Sequence, residues 1–484
     1  MILNWSHFWN GSAPWMIPLI AACVVLLAGA FLKKRVHEAS FGIAFLGILF
    51  SLVWVWKGWL SADGMVTGMF LFDRLSYWFT FLFLLAGLFT LLISYGYWKE
   101  LSIERPEYYA LILFSIFGMG CMAAGSDLIL VFIGLEVMSV AVYVLTGFHR
   151  TRRTSVEAAL KYFLIGAFAS GFLLLGIAFI YGATGTTDLV LITQKGAALS
   201  EPHARLFALT GFGLLAVGLA FKTALAPFHF WAADVYEGAP VPVTSFMATA
   251  VKAAGFAVVL RVASAIFQWE PAYLRELAWV GAVLTMTAGN LAALYQQNLK
   301  RMLAFSSVAH AGYLLVPLTV YAGNNMLVTA SVSFYLMAYL LMTTGAFAVL
   351  TYLTREGQER TDITALSGLG HQKPFLGFVF TFFMLSLAGI PPTLGFFGKY
   401  YLFVPAIQGG QVGLVVIALL NSVVSVYYYL RPVVAMYFGV GEKAGMEIKP
   451  MPQAVLVVVF LSLLTIGYFG LFPSQLLALL QNLQ

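Results

Sequence analysis

Charged side chains are scarce in this sequence. They make up 10% of the 484 residues, where soluble domains carry about 25%. With 61% hydrophobic residues, a soluble chain would expose too much apolar surface to stay dispersed. Cysteine is scarcer still, because Cys23 and Cys121 are the whole complement. Each sits in an apolar run, and two thiols so far apart argue against a disulfide scaffold and exclude a thiolate-held metal cluster. Also missing are the period-two alternation of a membrane barrel and any polar linker long enough to introduce a second soluble domain. No HExxH string, iron–sulfur cysteine cluster or pair of histidines placed to hold haem is present. The only dinucleotide-like string, Gly211 to Ala216, lies inside an apolar run with no strand before it. The sequence shows no means of carrying electrons and no cofactor or metal site.

What the chain has is long apolar runs, with 45 glycines and 42 phenylalanines among them. A spanning helix needs about 20 mostly apolar residues. By that rule the sequence divides into about fourteen segments. They lie near 14–32, 39–58, 75–97, 108–125, 127–148, 155–181, 204–225, 241–265, 277–295, 302–322, 327–353, 374–403, 412–439 and 452–472. The first run, from Pro14 to Leu32, lacks a preceding basic segment and is expected to be a retained helix. The expectation is an all-α polytopic protein made of one membrane domain, 1–484.

Basic residues favour the cytoplasmic loops of membrane proteins. Alternate loops hold fifteen of them, Lys33, Lys34, Arg35, Lys99, Arg105, Arg150, Arg152, Arg153, Lys300, Arg301, Arg355, Arg360, Lys373, Lys443 and Lys449. The opposite loops hold five, Lys57, Arg74, Lys195, Arg205 and Arg275. This bias places both termini outside, and it explains the net charge of +6 without a nucleic-acid partner.

Two segments are interrupted, at Pro227 and at Pro391–Pro392. Proline removes a backbone donor, and the freed carbonyls are tolerated in a membrane only beside protein or a wet cavity. Paired breaks in two halves point to an inverted-repeat transporter.

Subtracting the loop charges leaves Glu136, Lys222, Lys252 and Lys399 at depth. A charge at a helix centre costs roughly 2.5–3.5 kcal/mol on insertion scales. A Glu136–Lys222 pair could be a structural lock, but Lys252 and Lys399 have no second buried carboxylate in the sequence. A lysine left unpaired in an apolar site can take up and release a proton near neutral pH, as a relay requires. Lys161, nearer a helix end, fits either a relay or a snorkelling role. Arg261 reads as an interfacial anchor. His229 at the first break and His310 in the tenth segment lie on plausible lines between lysines, and imidazole can pass protons through its two nitrogens.

The strings PFHFWAADVYEGAPVPVTSF, SSVAHAGYLL and SLAGIPPTLGFFGKYYLF, supported by FIGLEVMSVAVYVLTGF and SVEAALKYFLIGAFASG, closely resemble the antiporter-like N subunits of bacterial NADH:quinone oxidoreductase, respiratory complex I. The resemblance runs from about Leu71 to the last segment, with Ala233 standing where the family usually has proline. It implies fourteen helices with two inverted five-helix repeats, each containing a broken helix. On that reading 1–107 holds helices 1–3, 108–265 the first repeat, 277–440 the second, and 452–484 the last helix. It also implies that Glu136 and Lys222 form a coupled pair, that Lys252 connects the halves and that Lys399 is the terminal lysine. Separating Glu136 from Lys222 would then send a proton toward Lys252 and on to Lys399, with His229, His310 and hydration bridging the gaps. The implied assembly is a proton-pumping translocase of the bacterial inner membrane. In it NADH, FMN, iron–sulfur clusters and a quinone are handled by other subunits, and this chain adjoins antiporter-like and small membrane subunits.

The nearest alternative is a subunit of a multi-subunit sodium/proton antiporter, which shares the broken helices and buried lysines. A passive membrane scaffold would tolerate neutral residues in place of those lysines. Quinone binding among aromatic strings such as FWAADVY and VYYYLRP carries little weight, since 16% of residues are aromatic.

Overall fold

The computed structural model describes residues 5–483 apart from 33–34, 63, 104, 200, 267–270, 324, 355–358 and 440–450. Lys33, Lys34, Arg355, Lys443 and Lys449, counted among the basic loops, lie outside the described residues. An N-terminal group comprises α1 (Trp5–Phe31), α2 (Val36–Leu60) and α3 (Arg74–Glu100). A small antiparallel hairpin, β1 (Met65–Thr67) and β2 (Phe70–Phe72), joins the last two. Then follow α4 (Pro106–Ala124), α5 (Leu128–Thr146), α6 (Arg153–Thr184), the short α7 (Leu189–Ala197), α8 (Pro202–Thr223) and α9 (Trp231–Gly238). Next α10 (Val241–Phe246) continues through a π-helical turn (Met247–Val251) into α11 (Lys252–Ile266). The second half comprises α12 (Pro271–Leu294), α13 (Leu299–Leu315), α14 (Asn325–Tyr352), α15 (Leu369–Gln372), α16 (Pro374–Ala388), α17 (Leu394–Gln408) and α18 (Val412–Phe438). The chain closes with α19 (Gln453–Leu471) and α20 (Pro473–Leu480).

Among the described residues, thirteen helices are long and apolar enough to cross a membrane. The segment expected at 374–403 is the exception. It splits into α16 and α17 at Pro391–Pro392, so each piece is short. The first break behaves alike: α8 stops at Thr223 with Ala224 in the left-handed region, and α9 resumes at Trp231. Ala233 falls in the first turn of α9, where backbone donors lack intrahelical partners. Alanine therefore serves there as well as the proline it replaces.

Burial separates inner from outer helices. The span formed by α10, the π turn and α11 is 94% buried, whereas those of α6, α12 and α18 are 33% buried. The outer helices present apolar residues such as Phe168 and Leu420, as a lipid-facing surface demands. Lipid tails offer no hydrophobic drive for helix pairing, so small residues at close crossings matter more. A Cβ on Gly211 would lie 2.9 Å from the Gly176 carbonyl oxygen of α6, so the dinucleotide-like string is a helix-packing motif.

One arrangement occurs twice. Asp127 caps α5 by accepting from the Ile129 N–H, and it bonds the Thr187 hydroxyl at 2.7 Å in the segment after α6. Asn298 caps α13 by accepting from the Lys300 N–H, and it bonds the Thr361 hydroxyl at 2.7 Å in the segment after α14. An isolated antiparallel bridge accompanies each, Asp127 with Asp188 and Asn298 with Asp362. Each cap satisfies orphan backbone donors while tying a helix start to a distant segment.

Arg261 is not an interfacial anchor. It is 8% exposed, and its guanidinium forks onto Asp73 at 2.5 and 2.6 Å while donating to the Ala123 carbonyl. Asp73 also caps α3 through the Ser76 N–H. The planar fork matches a carboxylate in a way an ammonium cannot. It thereby locks the far end of α11 to the start of α3.

Candidate functional site

Three lysines lie deep in the bundle, each placed by an irregularity in its helix. Lys222 occupies the last turn of α8, just before the first break. Lys252 follows the π-helical turn. Lys399 sits in the second turn of α17, after the second break. Their exposures are 3%, 2% and 6%, so each ammonium has to be satisfied by protein groups.

The partners are neutral. Lys222 Nζ donates to the Tyr143 hydroxyl at 2.9 Å, Lys252 Nζ donates to the Ser307 carbonyl, and Lys399 Nζ donates to the Ala388 carbonyl at 2.7 Å and the Ser422 hydroxyl at 2.8 Å. Ala388 ends α16, so Lys399 satisfies a carbonyl released by the break. Each ammonium also lies over an aromatic face: Tyr143 at 5.0 Å from Lys222, Tyr339 at 5.7 Å from Lys252 and Tyr313 at 5.4 Å from Lys399. Ring quadrupoles attract a cation without adding a counter-charge.

Glu136 and Lys222 do not touch among the described ion pairs. Glu136 instead accepts from the Ser170 hydroxyl at 2.5 Å, although its charge still acts on Lys222. The Tyr143 hydroxyl takes the place expected for the carboxylate. Room for it comes from Gly166 of α6, where an added Cβ would overlap that hydroxyl and lie 2.7 Å from Tyr143 Cζ.

His310 is within electrostatic reach of the other two lysines. Its Nδ1 meets the Tyr335 hydroxyl and its Nε2 the Tyr429 hydroxyl at 2.9 Å. Tyr429 also meets the Ser306 hydroxyl. Beside them Asn290 donates to Tyr313 and accepts from Tyr428. Tyr339 has the Ser307 and Thr343 hydroxyls next to it. His310 is thus tied to Tyr335, Tyr429 and Ser306, while Lys252 and Lys399 adjoin Tyr339 and Tyr313 through ring faces, and no described hydrogen bond joins either lysine to His310.

His229 is 7% exposed and stacks on Phe230, and its Nδ1 is buried with no hydrogen-bond partner among the described residues. No described hydrogen bond joins it to a lysine. Lys161 is partly exposed and pairs with Glu157 at 2.7 Å and Asp234 at 3.0 Å. Asp234 is shared with Arg301, which also holds Glu237. Among the described residues no group of three or more His, Cys, Asp or Glu side chains is placed to hold a metal ion.

Residues 125–425 match the transmembrane family described as NADH:quinone oxidoreductase/Mrp antiporter. The chain belongs to that family. NADH-quinone oxidoreductase subunit N of Trichlorobacter lovleyi is 42% identical over 480 residues, covering 98% of this chain and 96% of the relative. A chain of respiratory complex I from Thermus thermophilus, solved with bound aureothin, superposes with a TM-score of 0.82. It is 37% identical, and the match covers 97% of this chain and 100% of that one. A chain of the Mrp complex from Dietzia sp. shares the fold, with a TM-score of 0.81 at 24% identity and coverage of 98% and 96%. The antiporter-like, multi-pass membrane fold expected from the sequence is therefore established.

Family membership gives context to charges that the sequence reading set aside. Lys300, counted as a loop residue, is fully buried. It pairs at 2.8 Å with Glu359, which also pairs with Arg152 at 2.6 Å. Burial pushes the Glu359 carboxyl up, but Lys300 and Arg152 outweigh it and hold the group below the usual carboxylate range. Glu359 was missed because it follows a polar, charge-mixed stretch that reads as a solvated loop. The tyrosines were missed because they resemble ordinary aromatic packing. The i, i+4, i+8 spacing of Tyr335, Tyr339 and Thr343 on α14 is the signal that marks one polar face.

Proposed function

We propose that this chain is a proton-translocating membrane-arm subunit of an NADH:quinone oxidoreductase, relaying protons through its buried lysines. The observation that carries the reading is that Lys222, Lys252 and Lys399 are buried with neutral acceptors and ring faces only. A touching carboxylate would hold a proton on the lysine, because breaking a buried ion pair is costly. Carbonyl, hydroxyl and ring partners stabilise the ammonium without fixing it.

In this scheme Lys161 and Asp234 gather protons on the face with the basic loops, which is the cytoplasmic face, and both termini lie outside. Glu136 sets the charge balance at Lys222, whose ammonium donates to the Tyr143 hydroxyl. The proton then passes to Lys252 and through His310 and its tyrosines to Lys399, which releases it on the opposite side. His229 serves the first break, through water. The driving redox chemistry, with NADH, FMN, iron–sulfur clusters and quinone, belongs to other subunits, and this chain docks against antiporter-like and small membrane neighbours. The twice-used cap, Asp127 with Thr187 and Asn298 with Thr361, supports two inverted repeats at 108–265 and 277–440.

The test is NADH-driven proton pumping measured together with quinone reduction in membranes carrying Lys222→Ala. Lost pumping in an assembled complex is the expected result. Normal pumping would leave the buried lysines as structural residues and favour a scaffold. The sodium/proton antiporter alternative is less supported, since near full-length identity is to subunit N. Co-purification of NADH-oxidising subunits after gentle solubilisation separates the two.

A further inference from the structure

The helix that carries Lys252 is held at both ends. Its far end is locked by the Arg261–Asp73 fork. Its start is held by a carboxylate from a distant loop. Glu359, with a side chain 1% exposed, accepts through Oε1 from the Val241 N–H at 3.0 Å and the Tyr97 hydroxyl at 2.8 Å. Through Oε2 it accepts from Lys300 at 2.8 Å and Arg152 at 2.6 Å. Lys300 also donates to the Ala239 carbonyl, two residues before the helix begins.

Buried ion clusters are weak stabilisers, because desolvation offsets most of the attraction; their best-attested use is to fix one geometry among several. The geometry at stake here can be named. Val241 begins α10, and Lys252 lies eleven residues on along the same rod. Lys300 lies on α13, seven residues before Ser307, whose carbonyl receives Lys252. Glu359 therefore grips the helix that bears the ammonium and the helix that bears its acceptor. Between grip and ammonium lies the π-helical turn Met247–Val251, and such turns cluster at functional sites.

We infer that Glu359 is a positioning residue for Lys252, setting the register between the lysine's helix and the helix that receives its hydrogen bond. Its four donors saturate the carboxylate, so it acts as a fixed charge and carries no proton of the relay. The inference rests on the relay role proposed for Lys252.

The test compares Glu359→Gln, the double variant Glu359→Gln/Lys300→Met, and Lys252→Met, each in the intact complex in membrane vesicles. Glutamine keeps an acceptor for Tyr97 and Val241 but removes the charge between Lys300 and Arg152. Glu359→Gln is expected to lower protons moved per NADH oxidised at least twofold, with quinone reduction retained. Amide exchange over 241–251 should rise severalfold while that over 255–266 stays unchanged. The double variant removes the uncompensated lysine and should recover assembly and thermal stability while the proton ratio stays low. A merely structural role would restore stability and pumping together and would overturn the inference. So would a normal proton ratio in Glu359→Gln, or failure of both Glu359 variants to assemble. Should Glu359→Gln alone fail to assemble, the double variant's proton ratio decides. Normal pumping by Lys252→Met would instead refute the relay reading itself.

Discussion

The Tyr143 hydroxyl stands against Lys222 only because position 166 has no side chain. An alanine there would place its Cβ 2.7 Å from Tyr143 Cζ, against 3.4 Å or more for ordinary contact. The ring has to withdraw, carrying its hydroxyl about 1 Å away from the 2.9 Å bond to Lys222, beyond the range in which a hydrogen bond persists. A hydrogen bond to a charged group contributes about 1.5–3 kcal/mol, and about 1.4 kcal/mol is a factor of ten in rate. If the loss falls on loading Lys222 with a proton, pumping by Gly166→Ala slows roughly 10- to 150-fold.

Tyr143→Phe removes the same bond without crowding, so it separates lost chemistry from overpacking, which costs about 1–3 kcal/mol. The assay is dye-reported acidification of everted vesicles with NADH oxidation followed in parallel and subunit content checked. Both single variants should pump slowly. The double variant should be no worse than the poorer single, since both changes delete one interaction. Pumping within twofold of wild type in both singles would refute the role given to this hydroxyl. A double variant slowed by the product of the two effects would refute the steric argument.

Three further outcomes follow from the same geometry. Arg261→Lys replaces a fork with a point charge, and it should cost about 2 kcal/mol, read as a lower unfolding temperature of the solubilised complex. Tyr429→Phe removes the hydroxyl shared by His310 and Ser306, and it should slow pumping about tenfold with quinone reduction retained in uncoupled vesicles. Because Glu359 is held below the usual carboxylate range, its stabilisation is complete above the unfolded value and is lost as pH falls through the folded one. The difference in unfolding temperature between wild type and Glu359→Gln should be constant from neutral pH down to the usual carboxylate range and shrink below it.

The buried lysines were legible in the sequence because a cation inside an apolar run has no bland explanation. The breaks were legible because proline cannot continue a helix. Arg261 shows the limit of that reasoning: its depth along the helix could be counted, but its partner Asp73 lies 188 residues away and looks like a loop acid. Glu359 shows it more strongly. Hydropathy assigns it to solvent, and only the fold of α14 and the loop after it carries that carboxylate back under Val241. Glu136 was expected at depth, yet it is only half-buried, and its contact with Ser170 depends on how α5 and α6 are rotated against each other. Periodicity does not set that rotation. Small residues such as Gly166 set it, by admitting one side chain and excluding others.

The two related caps give these residues a common scale. Nine residues after Asp127 comes Glu136, and nine after Asn298 comes Ser307. The first lies within electrostatic reach of Lys222, and the second receives Lys252 directly. At the same distance from the two caps, one position carries a carboxylate whose charge reaches Lys222 and the other offers Lys252 a backbone carbonyl. A proton is held more firmly where a negative charge stands nearby and less firmly where only dipoles do. Serine at 307 adds no charge beside that carbonyl, so Lys252 is held by dipoles and a ring face alone. Ser307→Glu, which adds a carboxylate at that position, should hold the proton at Lys252 and stop pumping in an assembled complex. Undiminished pumping by that variant would show that the asymmetry has no part in transfer.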